Sequence, residues 1–306
     1  TKGEEVVEAL AQKSVDFAPP HSGDSWVIMN PIEQQIKQKI EQHGTPLKDW
    51  DIQINYGIKT GYNEAFIIDG ATKDRLIAED PKNAEIIKPI LRGRDIKRYK
   101  ADFADLWLIF TAPALKIDIE EYPSIKQHLL TFGYDKLRQE GLRDEKGNLT
   151  SRKKSTNKWF ELQDQIGFYE DFKKEKIVWK RIGSDTRFSV VEKGVLCLDS
   201  TCFLSGSNGK YLVAMLNSKF IHNYLIENGQ KTGMGDLIIS VQSIDPIPIP
   251  QISEEEQRPF EELVEQILTK KERGENTDAE ERRIDEMVYT LYHLTPDEIN
   301  HIEGKE

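Results

Sequence analysis

Several features that would assign a function directly are scarce or absent. Cys197 and Cys202 are the only two cysteines among 306 residues, and they form no C-x-x-C pair. No histidine clusters with them, so they are expected to be buried free thiols in a reducing cytoplasm. No run of about eighteen apolar residues occurs, so the sequence predicts no membrane-spanning segment. A cytoplasmic location without a membrane partner is therefore expected.

Motifs of common catalytic sites are missing as well. The sequence has no glycine-rich phosphate loop, no dinucleotide fingerprint and no serine-hydrolase elbow, and its six histidines have no metal-ligand spacing. Asp95-Ile96-Lys97 resembles the end of a nuclease metal site but lacks an upstream acidic partner. Met29-Asn30-Pro31 resembles a methyltransferase motif, but Ile32 and Glu33 replace its proline and aromatic residue. No catalytic residue, metal ligand or cofactor site is predicted within the chain.

Charge is distributed unevenly along the chain. The formal net charge is −11, but residues 251–306 hold seventeen acidic and seven basic residues, which leaves 1–250 nearly neutral. Six basic residues and one acidic residue lie in 88–100, and ten basic and six acidic residues lie in 152–187. Phosphate binding depends on such local patches, and an acidic tail can face away from them. The charge pattern permits DNA binding without establishing it.

Composition divides the chain into three parts. Residues 1–25 end in a Pro/Gly/Ser-rich stretch and are predicted to be a linker. Residues 26–250 alternate strand-like and helix-like patterns and end at the extended "DPIPIP", so they are predicted to form one mixed, β-rich α+β domain with packed helices. Residues 251–306 show capping-box patterns at Ser253/Glu256 and Thr277/Glu280, each followed by an apolar helical face. They are predicted to form a C-terminal helical hairpin and a further short helix.

Two turn regions carry particular expectations for strand pairing. Apolar residues alternate with polar ones from Trp50 to Ile58, the pattern of a half-buried strand, and "AFIID" after the next turn is expected to complete a hairpin. Lys193-Gly194 is expected to form a second hairpin turn.

The first of these turns is rich in small and hydrogen-bonding residues. Gly57 would permit a bulge or a close backbone approach, and Gly61 would permit a tight turn. Lys59, Thr60 and Asn63 suit phosphate or base-edge contacts. The alternative is that these polar side chains only cap backbone groups. The residues alone do not decide between the two.

Two further segments favour contact with nucleic acid. Arg92-Gly93-Arg94, followed by Lys97 and Arg98, offers forked guanidinium groups beside a glycine that lets the backbone approach a ligand. The alternative is the solvated end of a helix, where basic residues are also favoured. The loop-like run Arg152, Lys153 and Lys154 suits phosphate contact, and the alternative is a disordered surface loop.

Six segments occur in an order that resembles a known family. They are "INYGIKTGYNEAFIID", "IIKPILRGRDIKRYK", "KIVWKRIG", "LDSTCFLSG", "YLVAMLNSKFIHNYLIEN" and "IDPIPIPQISEEEQRPFEELVEQIL". Together they resemble the TaqI-like C-terminal specificity domain of restriction–modification methyltransferases, including single-chain type IIG enzymes. The helix–breaker–helix pattern at the C-terminal end also resembles the target recognition modules of type I specificity subunits. The similarity covers roughly 26–250.

The resemblance implies recognition of a short double-stranded DNA sequence for an attached adenine methyltransferase, which a nuclease could accompany. It places S-adenosylmethionine in the methyltransferase domain and no cofactor in this chain. Two rival hypotheses are a scaffold that binds a protein partner through its acidic helices, and a fragment that itself cleaves or methylates DNA. The DNA-binding residues expected from the resemblance are Lys59, Thr60, Gly61, Asn63, Arg92, Gly93, Arg94, Lys97, Arg98, Arg152, Lys153, Lys154, Lys180 and Arg181.

Overall fold

The computed structural model of the protein describes residues 31–304. The predicted linker, 1–25, and residues 26–30 of the predicted recognition domain lie outside the described residues. Helices and several small sheets alternate along the described chain, which confirms the expected α+β class. None of the described helices is long and apolar enough to cross a bilayer.

Short strands recur throughout the part of the chain between residues 45 and 249. They are β1 (Thr45–Pro46), β2 (Ile52–Tyr56), β3 (Ile67–Asp69), β4 (Ile87–Leu91), β5 (Tyr99–Lys100), β6 (Leu106–Ile109), β7 (Lys176–Lys180), β8 (Ile182–Gly183), β9 (Phe188–Val191), β10 (Leu196–Cys197), β11 (Thr201–Gly206), β12 (Gln230–Lys231), β13 (Leu237–Ile238) and β14 (Pro248–Ile249).

Helices occur before, between and after these strands in the sequence. They are α1 (Pro31–His43), α2 (Asn63–Phe66), α3 (Gly70–Glu79), α4 (Pro123–Leu130), α5 (Tyr134–Leu137), α6 (Tyr169–Phe172), α7 (Gly209–Asn217), α8 (Lys219–Asn228), α9 (Val241–Ile244), α10 (Glu254–Glu272), α11 (Asp278–Leu291) and α12 (Pro296–Ile302).

A five-stranded sheet with the spatial order β2-β11-β7-β9-β5 is the main layer of the fold. Its pairs are antiparallel except for β5 with β9, which is parallel. A four-stranded sheet has the order β10-β4-β6-β3, and β10 runs parallel to β4. Smaller sheets join β12, β13 and β8, and β1 with β14. The molecule is thus a mixed assembly of short strands around one larger sheet.

The five-stranded sheet separates two hydrophobic cores. On β7, Ile177 and Trp179 belong to the first core, with the C-terminal helices, whereas Val178 belongs to the second core, with the four-stranded sheet. On β11, Leu204 faces the first core and Phe203 faces the second. Successive side chains of a strand point to opposite faces, so a sheet buried on both faces requires nearly continuous apolar strands. The runs "KIVW" and "CFL" meet that requirement.

Neither predicted hairpin forms. The strand at 52–56 pairs with β11 in the five-stranded sheet, whereas the strand at 67–69 pairs with β6 in the four-stranded sheet. Lys193-Gly194 connects β9 to β10, which also lie in different sheets. Alternation and turn residues are local signals, and they do not identify a pairing partner that is distant in sequence. The predicted hairpins were therefore wrong, although the strands themselves exist.

The C-terminal segment is a helical hairpin followed by a short helix, as predicted. Ser253 with Glu256 forms a capping box at the start of α10, whereas Thr277 makes no side-chain cap at α11. Helix α10 lies against α7, and the rings of Phe260 and Tyr211 meet edge to face with centroids 5.4 Å apart. The apolar faces of these helices fill the first core, so the acidic segment packs on the body of the protein.

We expect Phe260→Ala to lower the free energy of unfolding by about 3–5 kcal/mol, because it leaves a cavity in the first core. Phe260 is 3% exposed and Phe103 is 48% exposed. The matched control Phe103→Ala should therefore cost less than about 1 kcal/mol. Urea unfolding of both variants measures the difference. Equal, small losses would show that α10 does not depend on this core.

A buried carboxyl group links the hairpin to α8. Asp285 on α11 is 5% exposed, and its Oδ1 accepts a hydrogen bond of 2.8 Å from the backbone N–H of Lys219. Burial raises the pKa of Asp285 from its ordinary 3.8 to about 6, although the Lys219 N–H and the charges of Lys219 and Arg98 oppose the shift. Folding therefore favours the protonated carboxyl group.

This shift predicts how stability depends on pH. A carboxyl pKa that is higher in the folded state contributes stability below pH 3.8, and the contribution is lost as pH rises through about 6. We expect Asp285→Asn, which keeps an acceptor oxygen, to be more stabilising at pH 7 than at pH 4 by about 2–3 kcal/mol. Chemical unfolding of both proteins at the two pH values tests this. A stability difference that is independent of pH would contradict the raised pKa.

Candidate functional site

Three residues cross from one sheet to the other between β10 and β11, and we call residues 198–200 the crossing. The N–H of Leu198 donates to the carbonyl of Leu91, and that of Asp199 donates to the carbonyl of Ile58, each at 2.9 Å. Ser200 accepts two hydrogen bonds of 3.0 Å. Its carbonyl accepts one from the N–H of Arg181, and its hydroxyl accepts the other from the N–H of Gly93. The crossing thereby gathers the chain segments that follow β2, β4 and β7.

The segment after β2, residues 57–63, is the Lys59 turn, and its two glycines are sterically required. A Cβ atom on Gly57 would collide with the carbonyl oxygen of Leu198. Gly61 has φ of 79°, and a Cβ atom there would lie 2.8 Å from Arg152 Nε and from Gln163 Oε1. A side chain would be strained at that φ as well as crowded. The conformational roles predicted for both glycines are confirmed.

The polar residues of the Lys59 turn fall into two groups. Thr60 is 1% exposed, and its hydroxyl donates to Asn63 Oδ1 at 2.5 Å and accepts from the N–H of Tyr62 at 3.1 Å. Thr60 therefore holds the turn together, which agrees with the alternative that polar side chains of this turn cap backbone groups. Lys59 and Asn63 are exposed. The ammonium group of Lys59 and the amide nitrogen of Asn63 remain available to a ligand, whereas Asn63 Oδ1 is engaged by Thr60.

The segment after β4, residues 92–95, is the arginine turn, and its two arginines have different surroundings. Gly93–Asp95 is a short 3-10 turn that follows a strand, so the alternative of a helix end is wrong. Arg92 directs its fork at the carboxylate of Asp95, with Nε 3.0 Å from Oδ2 and Nη2 2.8 Å from Oδ1. That pairing raises the pKa of Arg92 and occupies the carboxylate that resembled a nuclease ligand. Arg94 is exposed and makes no ion pair with any described residue.

The basic run at 88–100 does not form one patch. Lys97 is exposed, and its ammonium group lies 3.3 Å from the carbonyl of Arg94. Arg98 instead binds Glu281 of α11, with Nη2 2.8 Å from Oε2, and Lys100 lies 3.4 Å from Glu272 of α10. The acidic C-terminal helices neutralise this end of the run because they pack beside it. Arg98 is therefore a structural residue in this fold.

The loop at 152–154 also divides. Arg152 is 3% exposed, and its guanidinium donates to the carbonyl of Thr60 at 2.6 Å and to that of Trp159 at 3.2 Å. Burial lowers the pKa of Arg152 to about 10. The expectation of a phosphate contact from Arg152 is corrected, since the side chain is enclosed and holds the Lys59 turn. Lys153 and Lys154 are exposed as expected.

Lys180 and Arg181 lie at the end of β7, beside the arginine turn. A Cβ atom on Gly93 would lie 3.1 Å from Cγ of Lys180, so the two chains approach closely there. Lys180 is exposed and Arg181 is partly buried. The carbonyl of Arg181 accepts from the N–H of Ile239 at 2.7 Å, which attaches the three-stranded sheet to the same region. The structure therefore brings this segment next to Gly93.

A cleft of ≈ 600 Å³ lies beside the Lys59 turn. The cleft is lined by residues that the sequence predicted, namely Lys59, Gly61, Arg152 and Lys153, and by Lys136 and Gln163, which the sequence analysis missed. Lys136 stands in a helical pattern and Gln163 in an irregular segment, so neither had a signal in the sequence. The tertiary fold alone adds them to the site.

We call five exposed bases the basic surface: Lys59, Arg94, Lys153, Lys154 and Lys180. They lie on the Lys59 turn, the arginine turn, the loop at 152–154 and the end of β7. Within residues 31–304, none of the five has a carboxylate within ion-pair distance. Several bases on or near the C-terminal helices are paired, such as Lys210 with Glu265 at 2.5 Å and Lys270 with Glu280 at 2.7 Å. The five bases of the basic surface are thus available to an anionic ligand.

Two acidic residues accompany the basic surface. Asp164 accepts a hydrogen bond of 2.9 Å from the N–H of Lys59, and Asp199 lies in the crossing. Burial raises the pKa of Asp164, Lys59 opposes the shift and Asp199 adds to it. Carboxylates repel phosphate but accept hydrogen bonds from amino groups. The surface therefore offers both cationic groups and hydrogen-bond acceptors.

Comparison with known proteins agrees with this architecture. The type II methyltransferase M.MjaIV of Methanocaldococcus jannaschii is 24% identical over 243 residues, covering 77% of each chain. The type IIL restriction-modification enzyme MmeI, whose structure is of a complex with DNA, superposes with a TM-score of 0.56 at 14% identity, over 84% of this chain and 35% of the other. At that identity the superposition shows a shared fold.

A second solved structure, the type IIG restriction endonuclease BpuSI, gives a TM-score of 0.49 at 15% identity, over 85% of this chain and 32% of the other. The chain spans about a third of each of these two enzymes. The profile of the TaqI-like C-terminal specificity domain matches residues 88–249, which is more than half of the sequence. The chain therefore belongs to the TaqI-like C-terminal specificity domain family.

Proposed function

We propose that the chain recognises double-stranded DNA as the specificity domain of a restriction–modification enzyme. The observation that carries the proposal is the convergence of the Lys59 turn, the arginine turn and the end of β7 on the crossing. The convergence brings together the segments that carry Lys59, Arg94 and Lys180, and Lys153 lines a cleft together with Lys59. Family membership supplies the biological context, and the concentration of cationic groups supplies the physical one.

The side chains divide into two expected roles. Lys59, Lys153, Lys154 and Lys180 are flexible point charges that suit phosphate oxygens and would position the domain on the duplex. Arg94 carries a planar fork beside Gly93, which suits a guanine edge. Asn63 and Gly61 belong to the Lys59 turn, so they would lie near the duplex when Lys59 binds it. Arg92, Arg98, Arg152 and Thr60 would act through the fold, because their polar groups already have protein partners.

We further propose that recognition serves adenine methylation by a methyltransferase domain joined to this chain. M.MjaIV is named a type II methyltransferase, and the two solved enzymes are much longer than the present chain. S-adenosylmethionine would bind in that attached domain, and a nuclease could share the same parent protein. Methylation of cognate DNA by the full parent protein, read as N6-methyladenine or methylcytosine, tests the adenine assignment.

The rival scaffold hypothesis assigns partner binding to the acidic C-terminal helices. A partner could not cover their apolar faces in this fold, so it would have to bind their acidic faces. The apolar faces of α10 and α11 instead bury Phe260, Val264, Ile284 and Val288 in the first core. Their outer faces carry the acidic charge. Binding of a protein partner that ignores DNA would favour the scaffold.

We expect the double variant Lys59→Ala/Arg94→Ala to weaken binding of a fluorescent duplex to the 306-residue chain. Each lost phosphate contact should reduce the log–log salt slope by roughly 0.9. Lys193→Ala/Arg258→Ala is the matched control, because it removes the same charges from exposed positions away from the crossing. Fluorescence anisotropy at several salt concentrations measures both effects. If the two double variants bind equally well, the basic surface is not the contact surface.

Arg152 and its neighbour Lys153 should behave in opposite ways. Arg152→Ala leaves the carbonyls of Thr60 and Trp159 without their donor, and we expect a stability loss of about 2–4 kcal/mol. Lys153→Ala should change stability by less than about 0.5 kcal/mol and weaken DNA binding. Thermal unfolding and anisotropy on both variants separate the two roles. A folded, fully stable Arg152→Ala protein that has lost DNA binding would restore Arg152 as a contact residue.

A further inference from the structure

Helices α1, α8 and α12 meet at a second place in the fold. Side-chain nitrogen and oxygen atoms lie close together there. Glu33 of α1, Glu227 of α8 and His301 of α12 each offer one ligand atom, and these atoms lie within 4.8 Å of one another. His301 Nε2 is 3.8 Å from Glu227 Oε1. Helices α1 and α12 lie at opposite ends of the described chain and α8 lies between them, so the cluster is a product of the tertiary fold.

The cluster combines two carboxylates with one imidazole, so oxygen and nitrogen donors lie side by side. Glu33 and His301 are half-buried and Glu227 is exposed, so a small ion can reach all three from solvent. An imidazole adds a nitrogen ligand that an ordinary acidic surface lacks.

We propose that Glu33, Glu227 and His301 bind a divalent transition-metal ion, with Zn²⁺ as the best match. Zn²⁺ takes imidazole nitrogen together with carboxylate oxygen, and three protein ligands leave a fourth position for water. Mg²⁺ and Ca²⁺ prefer sets made of oxygen alone, so the imidazole disfavours them. The separation of the three ligand atoms requires only side-chain adjustment to reach metal-ligand distances.

The consequence of this site is a link between the two ends of the described chain. Helix α1 begins at residue 31, and α12 ends at residue 302. A metal held by both, and by α8 between them, would fix α1 against the C-terminal helices. Since the unfolded chain does not assemble the three ligands, metal binding stabilises the folded state according to its affinity and concentration. The site is independent of the proposed DNA surface and shares no residue with it.

Metal titration of the untagged 306-residue chain, stripped with a chelator, tests the proposal. We expect ZnCl₂ to raise the thermal unfolding midpoint in a saturable way, and Co²⁺ to give the visible absorption of a protein-bound site with one ion per chain. His301→Gln and Glu227→Gln should each weaken Zn²⁺ binding about tenfold or more, since changes even outside the ligand set have effects of that size. Both residues are partly exposed, so the variants should still fold.

The matched control is His43→Gln. His43 and His293 are exposed and their rings lie 4.7 Å apart, so this pair is another place where Zn²⁺ could bind through imidazole. Retained binding in His43→Gln and lost binding in His301→Gln would support the proposal. The opposite pattern would overturn it, as would the absence of saturable Zn²⁺ binding to the unaltered chain, or equal stabilisation by Mg²⁺.

Discussion

The backbone hydrogen bonds of the crossing are the interaction on which the site depends. Leu198, Asp199 and Ser200 each bind a different neighbouring segment, and together they hold the Lys59 turn, the arginine turn and the end of β7 in fixed positions. The crossing can do this because it passes from the four-stranded sheet to the five-stranded sheet and is flanked by strands of both. Gly57 and Gly93 allow the close approach. A surface of basic side chains is thereby built on a rigid backbone frame.

Burial decides which cations of this region remain available. Arg152 is enclosed and bound to carbonyl groups, so its charge is used to hold the Lys59 turn. Arg92 is engaged by Asp95 and Arg98 by Glu281. Arginine suits these positions because its planar fork can satisfy several acceptors at once. The bases of the basic surface remain outside these networks. They are the groups that a polyanion can reach.

The acidic C-terminal helices complete the fold and also shape the charge around the site. Their apolar faces fill the first core against α7 and the five-stranded sheet. Glu272 and Glu281 pair with Lys100 and Arg98, so they neutralise the far end of the basic run and leave its near end positive. The large negative charge of the segment is thus compatible with a DNA-binding role, because within residues 31–304 its carboxylates pair with none of the five bases of the basic surface.

The sequence determined the class of the fold, the C-terminal helical hairpin, the buried thiols and the need for glycine at two positions of the Lys59 turn. These features follow from local periodicity, capping residues and conformational restrictions, which act within a few residues. Strand pairing and the fate of each charged side chain were decided by the tertiary structure. Arg152 and Lys153 are neighbours in one basic run, yet one is buried and the other exposed, because burial depends on contacts with Thr60 and Trp159 that only the folded chain creates.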